Sequence, residues 1–153
     1  MPIPLLLPLL LLLTPLLTTA HFLLNYLPAR GFNEDTLPTF PCGGQDAVTT
    51  NRTLWPLTGG PIQLYLQHTQ SNIQVLIALG TNPGDAFNTV LVPTTQENGP
   101  QNFCFGGVVV PAMVGGVKVV EGMNATVQVV TNGDPEGGLY NVSFLAPFVG
   151  VWK

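Results

Sequence analysis

The sequence predicts an all-β domain, an antiparallel β-sandwich that follows an N-terminal export signal. Short runs in which apolar and polar residues alternate recur along the chain, as in half-buried strands. Gly, Pro and Asn residues separate these runs, and nothing after residue 20 repeats with the period of a helix. About seven short strands with such regular punctuation are typical of a sandwich. A chain of 153 residues is enough for one ordinary domain and not for two.

Residues 1–20 are predicted to be a secretory signal peptide. The segment is rich in leucine and ends in Thr18-Thr19-Ala20, where small side chains suit the cleaving peptidase. Three prolines within the leucine run disfavour a transmembrane helix, because each removes a helix hydrogen bond that lipid cannot replace. We therefore expect one mature domain, 21–153, that begins at His21.

Strands are predicted only after residue 60, because turn formers dominate the stretch before it and show little periodicity. In the first predicted strand, every second residue from Ile62 to Leu66 is apolar, which is the pattern of a half-buried strand. The predicted strands are 62–68, 73–79, 87–92, 103–110, 117–120, 125–131 and 139–145, with a loop at 93–100 and a turn at Asn132-Gly133-Asp134-Pro135.

The charge of the chain excludes several classes of partner. Four Lys and Arg residues against eight Asp and Glu residues give a net charge of −4. The basic residues are scattered, whereas binding to nucleic acid or to a membrane surface needs them clustered. The carboxylates, Glu34 among them, are assigned to solvated loops, and no facing pair indicates glycosidase chemistry. Trp55 is predicted to pack in the core or in a loop.

The cysteines and the glycosylation sequons agree with export. Two cysteines in an exported chain predict a disulfide between Cys42 and Cys104. On the entropy model, closing that loop would raise the free energy of the unfolded state by about 4 kcal/mol, because the unfolded chain loses conformational freedom. Asn51, Asn124 and Asn141 each open an Asn-x-Ser/Thr sequon, so all three are predicted glycosylation sites.

Both histidines of the mature chain are candidate metal ligands. Cleavage after Ala20 would make His21 the first residue, whose α-amine and Nδ1 can chelate one ion. The amine has an ordinary pKa of about 7.7–8.0, low enough for a metal to displace its proton near neutral pH. His68 could add a third nitrogen, and three nitrogens in a T-shape suit Cu(II). The alternative is a chance terminal residue and a strand-end histidine satisfied by hydrogen bonds.

Longer motifs favour the metal site. The chain resembles the fungal copper acquisition factor (BIM-like) family, relatives of the lytic polysaccharide monooxygenases, over nearly all of residues 21 to 140. The most specific feature is the opening histidine followed by a Pro-Cys-Gly-Gly motif. The segments that carry the resemblance are 21–32, Phe40-Pro41-Cys42-Gly43-Gly44, Asn51-Arg52-Thr53, Trp55-Pro56-Leu57, Gly59-Gly60, 63–68, Leu79-Gly80, Asn82-Pro83-Gly84, Phe103-Cys104, Asn124-Ala125-Thr126 and Gly138-Leu139-Tyr140.

The resemblance implies an immunoglobulin-like sandwich that holds one Cu(II) in a histidine brace, formed by the amine and Nδ1 of His21 and the imidazole of His68. Members of the family are generally regarded as copper-handling proteins of the cell surface or wall, many with a Ser-rich tail and a GPI anchor. We therefore expect a secreted monomer whose partners are copper and a cell-surface copper transporter.

The end of the chain departs from the family pattern. After Tyr140 the family usually reads Gln-Cys-Ala-Asp, and its aspartate is a copper ligand, whereas this chain reads Asn141-Val142-Ser143-Phe144 and has no Ser-rich tail. Either the ending is genuine, with Phe144 facing the copper as an apolar axial neighbour, or the reading frame enters an unspliced intron, because Val-Ser codons can contain a splice-donor pattern. Transcript sequencing across codon 141 distinguishes the two. The family has further cysteines, so the pairing of Cys42 with Cys104 stays open.

Three functions are consistent with this sequence. The leading hypothesis is a non-catalytic copper(II)-binding protein for copper acquisition or buffering at the cell surface. The first alternative is an oxidative polysaccharide monooxygenase that uses the same brace. The second is a wall protein that has lost copper binding through its altered end.

Overall fold

Ten β-strands form two facing sheets and a small hairpin in the computed structural model, which describes residues 21–133 and 137–150. The predicted signal peptide, the second half of the predicted turn at 132–135 and the last three residues lie outside the described residues. No helix in the described part of the chain is long and apolar enough to cross a membrane.

The strands are β1 (Phe22–Tyr26), β2 (Thr53–Pro56), β3 (Gly60–Leu66), β4 (Gln70–Leu79), β5 (Thr89–Asn98), β6 (Gln101–Val108), β7 (Met113–Val114), β8 (Val117–Lys118), β9 (Ala125–Asn132) and β10 (Gly138–Val149), with one 3₁₀ turn (Glu34–Thr36). The smaller sheet has the order β1-β3-β6 and the larger sheet β2-β10-β9-β4-β5, while β7 and β8 form the hairpin. Neighbouring strands are antiparallel except β2 and β10, which are parallel. The predicted all-β sandwich is therefore confirmed.

The core lies between the two sheets and follows the alternation seen in the sequence. On β3 the inward residues Ile62, Leu64 and Leu66 are fully buried. On the larger sheet the same holds for every second residue of 73–77 on β4 and for Val127 and Val129 on β9. Side chains on alternate positions of a strand point to one face, so facing sheets bury one set from each strand. Trp55 also belongs to this core, as predicted.

The larger sheet is covered on its outer face as well. The chain that follows β1 crosses to β10, where Arg30 N donates to Val142 O (2.9 Å) and Tyr140 N donates to Leu37 O (2.9 Å). A second buried cluster lies here, formed by Cys42, Ala78, Phe87 and Val142. Burial on both faces explains why β9 and the first half of β10 have almost no exposed residues.

Three strands were not predicted, and several extend beyond their predicted bounds, β4, β5 and β10 among them. β1 begins with three consecutive apolar residues, which hide the alternation, and β2 and β7 are too short to show one. The segment 93–98, predicted as a loop, continues β5. Pro93 is tolerated there because β5 is an edge strand and carries a bulge, in which 92–95 face only 73–75 of β4.

We predict that Leu64→Ala lowers the free energy of unfolding by about 2–5 kcal/mol, because it leaves a cavity between the sheets. Leu54→Ala makes the same change at a side chain that is 47% exposed, and should alter it by less than about 1 kcal/mol. Equilibrium urea unfolding of the two variants measures both values. Equal losses of unfolding free energy in the two variants would contradict the placement of Leu64 in the core.

Candidate metal centre

His21 lies at the start of β1 and is held by the neighbouring strand. Its carbonyl oxygen accepts a hydrogen bond from Gln67 N (3.0 Å), and the next residue, Phe22, is buried in the core opposite Leu66. Burial of Phe22 fixes the register of β1, since a slip of one residue would turn it towards solvent. His21 itself is 9% exposed.

His68 follows β3 in the short connection to β4, directly after Gln67, whose N–H bonds to His21. Gly99 packs against this connection, where its N donates to Thr69 O (3.0 Å). A Cβ at position 99 would overlap the carbonyl oxygen of His68, so the absence of a side chain there allows the connection to close. The structure thus brings the two predicted histidines to the same end of the smaller sheet.

One nitrogen of each imidazole is buried without a hydrogen-bond partner: Nδ1 of His21 and Nε2 of His68. Buried polar atoms usually have a partner. Of the eight unpartnered buried side-chain atoms in the described part of the chain, only these two are imidazole nitrogens. Their chemistry fits a metal ion that prefers imidazole nitrogen.

Glu34 is a third group at this position, and no sequence motif distinguishes it from the other loop carboxylates. Its Oε1 lies 3.8 Å from Nδ1 of His21, and its side chain is 53% exposed. The residue begins the 3₁₀ turn, which Asn33 caps by accepting a hydrogen bond from Asp35 N (3.0 Å). The capping pattern is visible in the sequence, but the contact with His21 is tertiary.

The described residues contain no group of three or more His, Cys, Asp or Glu side chains arranged to hold a metal ion. His21, His68 and Glu34 therefore do not form a complete side-chain cage as they stand. The α-amine of His21 is a further nitrogen donor that signal cleavage would create.

Phe144 was suggested as an apolar axial neighbour of the copper ion, but it lies beside two guanidinium groups instead. Its ring is buried on β10, with the guanidinium carbon of Arg30 3.8 Å and that of Arg52 5.0 Å from the ring centroid. Arg30 also donates to Thr81 O (3.0 Å) and Thr126 Oγ1 (3.1 Å), and burial lowers its pKa. Two neighbouring guanidinium groups disfavour a metal cation beside this ring.

A family model described as copper acquisition factor BIM1-like matches residues 19–144. The chain belongs to this family. The predicted resemblance is confirmed, and membership supports a copper-related role.

Three relatives illustrate the family. An uncharacterized protein of Aspergillus fumigatus is 47% identical over 126 residues, which cover 81% of this chain and 52% of that protein. The copper acquisition factor BIM1 of Cryptococcus neoformans var. grubii is 32% identical over 151 residues, 91% of this chain and 66% of that protein. The lytic polysaccharide monooxygenase-like protein X325 of Hypocrea jecorina is 32% identical over 144 residues, with 82% and 62% covered. The chain spans about half to two thirds of the length of these relatives.

The structure of this BIM1-like chain does not form the predicted disulfide. Cys42 is buried against the outer face of the larger sheet, and Cys104 is exposed on β6 of the smaller sheet. Because the two sheets face each other across the core, these positions are separated by the sandwich itself. Val142, at the position where the family usually has its late cysteine, lies in the same cluster as Cys42.

The three predicted glycosylation sites differ in exposure. Asn51 and Asn124 are exposed, and glycosylation of these two stays a prediction. Asn141 is 1% exposed and pairs with Val129 inside the larger sheet. This burial disfavours a glycan on the folded domain, and glycosylation of Asn141 stays a prediction.

We predict that iodoacetamide labels Cys104 in the folded protein and Cys42 only after unfolding. The thiolate is the reactive form, and burial raises the pKa of the Cys42 thiol to about 11 as well as blocking access. Mass spectrometry of peptides after labelling at about pH 8 measures this. If neither cysteine is labelled until a reductant is added, the two cysteines form the disulfide after all.

Proposed function

We propose that the mature chain is an extracellular copper(II)-binding protein that acquires or buffers copper at the cell surface. The observation that carries the proposal is the pair of buried, unpartnered imidazole nitrogens of His21 and His68, beside the hydrogen bond from Gln67 N to His21 O. Copper is the cargo in this proposal. The α-amine and Nδ1 of His21 and Nε2 of His68 would bind one ion.

The fold prepares the site before copper arrives. The pairing of β1 with β3 orders the backbone at His21, and the packing at Gly99 orders the connection that carries His68. Ligands that are already ordered lose little conformational entropy when they bind. Three nitrogen donors suit Cu(II), which also lies at the top of the affinity order for divalent ions.

The cellular setting is part of the same proposal. Cleavage after Ala20 is required to create the terminal amine, and export of the chain would expose it to copper outside the cell. The exposed sequons at Asn51 and Asn124 are compatible with this route. A cell-surface transporter would then receive the ion, and the domain would act as a monomer.

The family includes relatives named lytic polysaccharide monooxygenase-like proteins, which makes an oxidative enzyme the alternative function. A copper-handling protein should keep the ion from redox cycling, whereas an enzyme of that type must activate oxygen when it is reduced. The two functions therefore differ in the oxygen chemistry of the loaded protein.

We predict that the chain starting at His21 binds one Cu(II) through nitrogen ligands, and that one Gly added before His21 weakens binding sharply. The extension replaces the amine by an amide, which removes one donor of the chelate. The Cu(II) affinity should fall by more than the roughly 10–100-fold that is typical when a group hydrogen-bonded to a metal ligand is removed. Competition titration and electron paramagnetic resonance measure it, and His68→Gln should weaken binding in the same assay.

The extended chain is the matched control, because it keeps every side chain of the site. Equal affinity for the two chains, or negligible affinity in both, would overturn the histidine brace. The unfolding midpoint of each protein in urea verifies that the comparison is between folded domains.

We further predict that binding to this domain suppresses peroxide formation by copper in the presence of ascorbate and oxygen, compared with the same copper free in buffer. A fluorescent peroxide assay measures the rate. Faster peroxide formation by the loaded protein, together with oxidised products from a polysaccharide, would instead support the monooxygenase.

A further inference from the structure

The distance between Glu34 and His21 suits a shared metal ion. At 3.8 Å, Oε1 and Nδ1 are too far apart for a hydrogen bond. Nitrogen and carboxylate ligands of a first-row ion such as Zn²⁺ lie about 2.0–2.2 Å from it. Two such ligands are therefore separated by about 2.8–4.4 Å for ligand–metal–ligand angles from about 90° to 180°. One ion could contact both atoms without movement of the backbone.

The turn that carries Glu34 is anchored to the sandwich at its far end. Thr36 Oγ1 donates to Gly43 O (2.7 Å). Leu37 directly follows the turn, is buried in the core, and accepts at its carbonyl from Tyr140 N (2.9 Å). The backbone at Glu34 is thus fixed, while its half-exposed side chain is free to rotate by the small amount that coordination requires.

No lysine or arginine competes for this carboxylate in the described part of the chain. The contact with His21 is the only pair there within ion-pair distance. Arg30 and Arg52 lie at Phe144 instead, and Lys118 is exposed on β8. Glu34 therefore keeps an uncompensated negative charge beside a buried nitrogen that has no partner.

We propose that Glu34 is an anionic ligand of the copper ion held by His21. This inference rests on the proposed copper-binding function. Glu34 supplies the carboxylate that position 144 does not provide in this chain, where the ring of Phe144 lies against two guanidinium groups. The site then combines the amine and imidazole of His21, the imidazole of His68 and one carboxylate oxygen, a nitrogen and oxygen set that suits Cu(II).

The test compares Glu34→Gln with Asp35→Asn in the chain that starts at His21. Both changes remove one negative charge from exposed positions of the same turn and keep the side-chain size. Competition titration with a chelator measures the Cu(II) affinity, and electron paramagnetic resonance reports the ligand set through the parallel g value and copper hyperfine splitting. Loss of a ligand in Glu34→Gln should weaken binding at least about tenfold and change the spectrum. Asp35→Asn should stay within about twofold with the wild-type spectrum.

The outcomes separate this inference from the proposed function. Tight binding by the wild type with the same affinity and spectrum in Glu34→Gln would overturn the role of Glu34 and leave the histidine brace intact. Equal weakening in both variants without a spectral change would also overturn it, because that result indicates general electrostatic attraction. Negligible binding by the wild type would overturn both proposals. Urea unfolding midpoints verify that both variants fold.

Discussion

The antiparallel pairing of β1 with β3 is the constraint on which the candidate site depends. Phe22 lies opposite Leu66, and both are buried, so the pairing cannot slip by one residue without exposing the inward set of β1. That register places the carbonyl of His21 against Gln67 N. Because His68 comes directly after Gln67, the hydrophobic core determines the relation between two polar residues at the end of the sheet.

Burial of β10 on both faces explains why this chain differs from the family pattern without losing its sandwich. Val142 fills the space beside Cys42, and Phe144 fills the space beneath Arg30. Apolar residues at both positions keep the covering segment packed on the sheet. The same packing leaves Cys42 with an apolar neighbour and gives position 144 cationic surroundings, so the proposed metal ligands come from other parts of the chain.

The sequence predicted the strands in which apolar and polar residues alternate regularly, and it missed the features that depend on long-range contacts. Alternation identified β3 and β4, since the inward residues of each are buried and alternate with less buried ones. It missed β1, whose polar residues come late in the strand, and it misread Pro93, which an edge bulge accommodates. The histidines were recognised through motifs. Glu34 was not, because its proximity to His21 arises when the turn docks on β10. The two cysteines alone could not show that Cys42 packs on the larger sheet while Cys104 lies on the smaller one.

The proposed copper site is asymmetric, and this asymmetry bears on what it could do. Its nitrogen ligands would come from a histidine that is 9% exposed and from the ordered connection after β3, whereas the carboxylate of Glu34 is 53% exposed. A buried, ordered side gives affinity, since little freedom is lost on binding. An exposed carboxylate is the ligand that an incoming acceptor could displace first, because solvent already surrounds it. A protein that hands its ion to another carrier needs both properties at once, and a fully enclosed metal cage would provide only the first.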